Sequence, residues 1–226
     1  MKRRENQLRL RRFRVDDLQR RLGNTVPYHN IGSDMNDERN GMSKWIAAGL
    51  AVLAEGGVDR VRVEVVAERL GVTKGGFYRR FKDRRALLDA ILEEWSRGRI
   101  AAIDRQTELG DMAPGERLRS LIELYSERVS AHGMAIELAI RQWARTDRAA
   151  AASVALVDAQ RLKNVADLYR RLGLPAEDAQ SRAILFYSFI FGQSLLFLDR
   201  TPRERVRLIA ACASALTNVK MDTHRR

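Results

Sequence analysis

Residues 63–81 read VEVVAERLGVTKGGFYRRF. The spacing predicts two short helices joined by a tight turn. Ala67 is small enough for the helices to cross closely. Gly71, four residues on, supplies the left-handed geometry that the turn needs. Val66, Leu70, Val72 and Phe77 are expected to lock the pair together. Thr73 stands where a cap would open the second helix. Lys74, Gly75 and Gly76 then form its exposed first turn, the place where a recognition helix meets base edges. Glycine lets the backbone approach closely while offering no side-chain contact. Tyr78, Arg79 and Arg80 follow, within reach of phosphates or bases. Residues 60–85 hold nine basic side chains (Arg60, Arg62, Arg69, Lys74, Arg79, Arg80, Lys82, Arg84 and Arg85) against three acidic ones. A charge run alone is usually a solvated face. Its coincidence with a turn glycine, a crossing alanine and a cap points to a helix-turn-helix on DNA.

Outward from this stretch, glycine and proline punctuate a chain of helical periodicity. Helices are predicted over about 43–55, 63–70, 74–81, 84–107, 114–131, 134–145, 148–172, 176–198 and 202–219. Ser43 and Asp83 are candidate N-caps. Pro114, Pro175 and Pro202 each introduce a helical segment, and Thr201 with Glu204 forms a candidate capping box. Strand-like alternation is confined to Val61, Val63 and Val65. The fold class expected is all-α, a three-helix DNA-binding domain followed by a larger helical domain. The domains are placed at 42–95 and 96–226, behind a basic, flexible leader at 1–41. That leader invites three readings: a basic arm along the phosphates, a plain tail, or sequence upstream of a true start at Met42.

Residues 43–95 resemble the N-terminal domain of the tetracycline-repressor (TetR) family of transcriptional regulators. The resemblance rests on Ala54-Glu55-Gly56-Gly57, Val66-Ala67, Gly71 through Phe81, and Lys82 through Leu88. It implies a homodimeric, ligand-responsive repressor with a divergent helical domain for effector and dimerisation. It also implies a phosphate contact for Tyr78 and for Arg84, which stands where the family often has a phosphate-binding lysine. Thr73, Lys74 and Gly76 would face bases or backbone. Two residues depart from the family pattern. Arg62 stands in place of the usual Ser or Thr cap and is expected to bind a phosphate instead, and Gly76 stands where Thr is frequent.

The same resemblance places an apolar effector pocket in the helical bundle, with Trp95, Tyr125, Met134, Trp143, Tyr187 and Phe191 as candidate lining. Ordinary core packing is the competing account of each. Residues 183–198, AILFYSFIFGQSLLFL, are apolar almost all round, so the helix must be buried on every face. A second subunit is the economical cover. Val206, Ile209, Ala210, Ala213 and Leu216 on the last helix are expected to join that interface.

Lys and Arg together exceed Asp and Glu by 12, a balance suited to a polyanionic partner. Cys212 is the one cysteine, and it reads as a buried structural thiol. His29, His132 and His224 are scattered. No metal-ligand spacing, nucleophile–base pairing or phosphate loop is present, so neither an enzyme nor a cofactor is expected. The start is too charged for a signal peptide and the longest charge-free run too short for a membrane span. A cytoplasmic protein bound to a palindromic double-stranded operator and to a small effector is the resulting expectation. Non-specific architectural DNA binding, or activation in place of repression, is the alternative.

Overall fold

The computed structural model describes residues 37–107, 112–127, 131–196 and 200–218. Among them the chain is all-α. The helices are α1 (Asp37–Gly56), α2 (Val63–Leu70), α3 (Lys74–Tyr78), α4 (Arg84–Thr107), α5 (Pro114–Glu127), α6 (Ala131–Trp143), α7 (Arg148–Arg171), α8 (Ala176–Leu195) and α9 (Pro202–Thr217). Where valine alternation hinted at a strand, Val61 links a 3-10 turn (Val58–Arg60) to α2, and Val63 and Val65 belong to α2 itself.

α1 starts earlier than its apolar pattern suggests and runs straight through the expected boundary at Met42. Ser43 therefore lies within a helix and is not its cap. The rest of the leader, with its predicted arm, lies outside the described residues. Other signals act as anticipated. Asp83 Oδ1 accepts from the Ala86 amide at 2.9 Å and opens α4. Thr201 Oγ1 accepts from Glu204 N while Glu204 Oε2 accepts from Thr201 N, a reciprocal capping box at the start of α9. Gly173, with φ 94°, turns the chain after α7.

The described chain divides into two compact units, and the divisions fall inside α4 and α7. The first takes in 37–102 and 131–158. The second takes in 103–107, 112–127, 159–196 and 200–218. This differs from a cut at residue 95. The first unit has one core, and in it α1–α4 share their interior with α6 and the start of α7. Trp45, Leu53, Val66, Phe77, Leu87, Ile91 and Trp95 are buried together with Ile136, Ile140, Trp143 and Val157. α1 packs against α6 along much of its length. Gly49 makes room for the end of Ile91 on α4.

The second unit has its own core of Leu118, Ile122, Val165, Tyr169, Ala183, Phe186, Ile190 and Ala213. Tyr169 donates from its hydroxyl to the Leu216 carbonyl at 2.9 Å and so holds the end of α9. Burial pushes that phenol up to about 12.

Candidate nucleic-acid interface

The α2–α3 turn is built by Gly71, whose φ of 65° and ψ of 30° lie in the left-handed region. The Val72 amide returns to the Ala67 carbonyl at 3.0 Å and closes the end of α2. Ala67 and Val66 are buried at the crossing, but Val72 is 47% exposed and takes no part in the lock. Thr73 stands at the N-cap position of α3 in extended conformation, yet its side chain makes no capping bond. Instead the Gly76 amide donates to the Thr73 carbonyl at 3.0 Å.

α3 is anchored by one fully buried residue, Phe77. Its ring meets Trp45 of α1 edge-on at 5.3 Å, stacks with Phe81 at 5.4 Å and holds Tyr78 edge-on at 5.2 Å. Trp45 was not singled out from the sequence, because one aromatic in an amphipathic helix carries no positional signal. The anchoring leaves Tyr78 61% exposed. Thr73, Lys74, Gly75, Arg79, Lys82 and Arg62 are exposed as well, and Gly76 is half-buried. Neither glycine is needed by the fold. Neither has a positive φ, and an added Cβ would meet only ordinary contacts, at 3.7 Å for Gly75 and 3.9 Å for Gly76.

Three basic side chains have internal duties that the sequence did not reveal. Arg84 donates from Nε to the Val61 carbonyl and from Nη2 to the Val58 carbonyl, both at 2.6 Å. It thereby braces the turn that delivers the chain to α2. Arg80 donates to the Gly76 carbonyl at 3.1 Å, and its guanidinium fills the space a Cβ on Gly41 would need. Arg85 bonds Asp89 at 2.9 Å and Asp147 at 2.5 Å. Asp147 also accepts the amides of Ala149 and Ala150, each at 2.9 Å, and so caps α7. The first turn of α4 is thus tied to the start of α7 within the first unit.

Arg85, followed by the Ala150 amide, holds the Asp147 carboxyl below the usual aspartate range. Because the folded value is depressed, the stabilisation is complete above about pH 4 and is lost as pH falls further. Asp147→Asn keeps a capping oxygen and removes the charge. At neutral pH it is expected to be less stable than the parent in urea. That difference should shrink toward zero in titrations carried below about pH 4. A gap that persists unchanged in acid would assign the effect to something other than the carboxylate.

The six candidate effector residues fall in both units. Trp95 and Trp143 are buried in the core of the first, and Met134 is half-buried there. Tyr187 and Phe191 stack at 6.1 Å in the second, with the buried Arg161 guanidinium 5.5 Å from the Phe191 ring. The side chain of Tyr125 lies outside the described residues. Trp95 Nε1 is buried and makes no hydrogen bond.

The apolar helix α8 is buried on one side only. Ala183, Phe186, Tyr187 and Ile190 face the core, while Ile184, Leu185, Leu195 and Leu196 are between 56% and 61% exposed. On α9, Ala213 is buried within the chain, and Ile209 and Leu216 pack against the same core. Ala213 thus belongs to the chain's own interior, contrary to the expectation that it would face a partner, while Ile209 and Leu216 are partly buried. Val206 remains 53% exposed. Cys212 is also exposed, correcting its reading as a buried thiol, because α9 buries only a narrow stripe. Among the described residues no helix is long and apolar enough to cross a membrane, and no cluster of metal-ligating side chains occurs.

A left-handed turn between two short helices, a five-residue helix with an exposed first turn, and a dense basic surface define a helix-turn-helix DNA-binding protein. Comparison with known proteins shows what the chain is similar to. Residues 46–91 match the sequence model of the bacterial regulatory proteins of the tetR family. The chain is similar to the HTH-type transcriptional repressor KstR of Mycobacterium tuberculosis, 27% identical over 75% of this chain and 76% of that protein. It is also similar to the tetracycline repressor protein class G of Vibrio anguillarum, 46% identical over 24% of this chain and 26% of that one. A crystal structure of a putative TetR-family regulator from Rhodococcus sp. shares the fold, with a TM-score of 0.64 and 21% identity over 79% of this chain and all of the other. Residues 46–91 therefore carry a DNA-binding segment of the tetR-family type, within a chain that shares the fold of TetR-family regulators.

Proposed function

We propose that this protein is a transcriptional repressor that binds a palindromic double-stranded operator as a homodimer in the cytoplasm and is released by a small-molecule effector. The observation carrying the DNA-binding part is the first turn of α3, with two glycines that nothing inside the protein requires. Interior helical glycine costs roughly 0.5–1 kcal/mol relative to alanine. An uncompensated cost on an exposed turn favours close approach by an outside partner. Thr73, Lys74, Gly75 and Gly76 then face base edges or backbone. Arg62, Tyr78, Arg79 and Lys82 lie along phosphates, and Arg84 has Nη1 to offer there while its other nitrogens brace the turn. DNA binding is assigned to 42–95 together with the first turns of α1, and effector binding and dimerisation to 96–226.

Repression is the mode named for both relatives. The exposed stripe of α8 favours a two-fold dimer, which would set two α3 helices about one DNA turn apart or a multiple of it. For the effector, the buried indole N–H of Trp95 is a donor that a ligand oxygen would satisfy. An effector acts only through its different affinity for the two states.

A genome-wide binding map recovers the operator. On it, Tyr78→Ala is expected to weaken binding to operator and shuffled DNA alike, and Lys74→Ala to change the ranking of operator variants. Unchanged binding in both, with the fold intact, removes α3 from the interface. Equal affinity of the parent for operator and shuffled DNA at fixed salt identifies a DNA-coating protein instead. Gly76→Ala is expected to raise the thermal midpoint by about 2–4 °C while weakening operator binding. Gain in both would deny that close approach is the reason for the glycine.

A further inference from the structure

Arg80 closes the end of α3 with its side chain. Its backbone amide donates to the Phe77 carbonyl at 2.8 Å. The bond that an α-helix would make to Gly76, four residues back, comes instead from Arg80 Nη1 at 3.1 Å. A five-residue helix leaves most of its carbonyls without backbone partners, and a basic side chain near its end can take one. The guanidinium then lies against Gly41 of α1, where an added Cβ would overlap Nε, Cζ and Nη2.

Two features set this contact apart. Gly41 lies inside a helix and has no positive φ, so its backbone does not call for glycine. Glycine is destabilising there relative to alanine, and the room it leaves is filled by Arg80. Arg80 Nε is buried in that seat and makes no hydrogen bond among the described residues. A buried donor left unmade is a further cost, and one that native structures seldom carry. Trp45, one turn along α1 from Gly41, meets the Phe77 ring. Residues four apart share a helix face. One face of α1 therefore holds α3 twice, by an aromatic contact at Phe77 and through Arg80 at Gly76.

We propose that Arg80 is a positioning residue for base readout, a brace between α1 and the Gly76 carbonyl that sets the exposed turn of α3, and that Gly41 is glycine in order to seat it. Phosphate contacts hold a protein on any duplex, whereas a hydrogen bond to a base edge weakens steeply when its donor moves. Loosening the brace therefore harms reading more than it harms adhesion. This inference rests on α3 being the recognition helix.

The test uses the full chain, a duplex selected by the parent protein from a random pool, and a shuffled duplex of the same composition. Affinity for each is measured between about 50 and 200 mM salt, the range over which counterion release is read. Gly41→Ala leaves every charge in the chain and evicts only the far end of a flexible side chain. Its thermal midpoint should be no lower than the parent's, because alanine favours the helix. Its affinity for the selected duplex should fall roughly tenfold, the worth of one base contact, while the shuffled duplex changes by about twofold or less. Arg80→Met should show the same selective loss and keep the salt slope on the shuffled duplex within about half a unit of the parent's. The double variant should lose no more than Arg80→Met alone, because Gly41 acts through Arg80. Equal losses on both duplexes, an unaffected selected duplex, a lowered midpoint in Gly41→Ala, or additive losses in the double variant would each overturn the proposal. So would a slope reduced by about one unit in Arg80→Met, the signature of a lost phosphate ligand. The reading of α3 fails separately, and takes this inference with it, if the parent selects no duplex or if Lys74→Gln leaves the selected duplex unaffected.

Discussion

Replacing Ile184 and Leu185 together by glutamate is expected to leave the chain folded, to make it a monomer and to abolish operator binding. Both side chains are more than half exposed in the single chain, so their loss removes little of its core. In a two-fold interface each substitution occurs twice. A glutamate forced into an apolar contact costs at least about 2 kcal/mol without a partner, so even one of the two positions, in its two copies, weakens association about a thousandfold. A monomer reads one half-site, so operator affinity collapses with the dimer. Sedimentation velocity at micromolar concentration and an operator titration on the same sample decide the matter. A variant that still sediments as the parent does would move the interface away from this stripe. Ala213→Glu is not an equivalent experiment. Ala213 is buried in the chain's own core, and a charge there would attack the fold first.

The second large effect is expected at Glu137. This α6 carboxylate is 3% exposed and sits between two arginines. Arg99 Nε from α4 lies 3.4 Å from Oε2, and Arg141 Nε donates to Oε1 at 3.0 Å. Arg141 then grips Asp158 of α7 with both Nη atoms, at 2.8 and 2.6 Å. The ladder alternates in sign across three helices of the first unit. Glu137→Ala takes the buried carboxylate from both arginines, leaving Arg141 with Asp158 and Arg99 with only the Gly133 carbonyl. Removing one partner of a buried pair typically costs about 3–5 kcal/mol, on the order of 10 °C in melting temperature for a protein of this size. Glu137→Ala combined with Arg99→Met should recover part of that loss, because it removes the cation left without a carboxylate. Urea titrations of the three proteins provide the measurement, and additive losses would show that the ladder is not a unit.

The sequence was legible where a residue acts on its near neighbours. Gly71, Asp83 and the Thr201–Glu204 box are local devices, and each stands where its spacing placed it. α1 was misjudged because its first turns lack apolar periodicity. Arg84 shows the harder limit. Its position in the basic cluster pointed outward, but the carbonyls of Val58 and Val61 lie more than twenty residues back in the chain, and only the fold brings them together. The apolar run on α8 reads as buried on every face, whereas the chain itself covers only one side of it. Which of its faces the chain itself would fill depended on α5 and α7, which periodicity alone cannot orient.

Asp147 touches no DNA in the arrangement proposed here, yet it joins the start of α7 to the first turn of α4. A genetic selection for bacteria in which the controlled promoter has become constitutive would therefore recover two spatially separate groups of alleles. One would map to α3 and its neighbours. The other would fall at Arg85 and Asp147, produce normal amounts of protein, and be suppressed by second-site changes that restore an opposite pair of charges at those two positions.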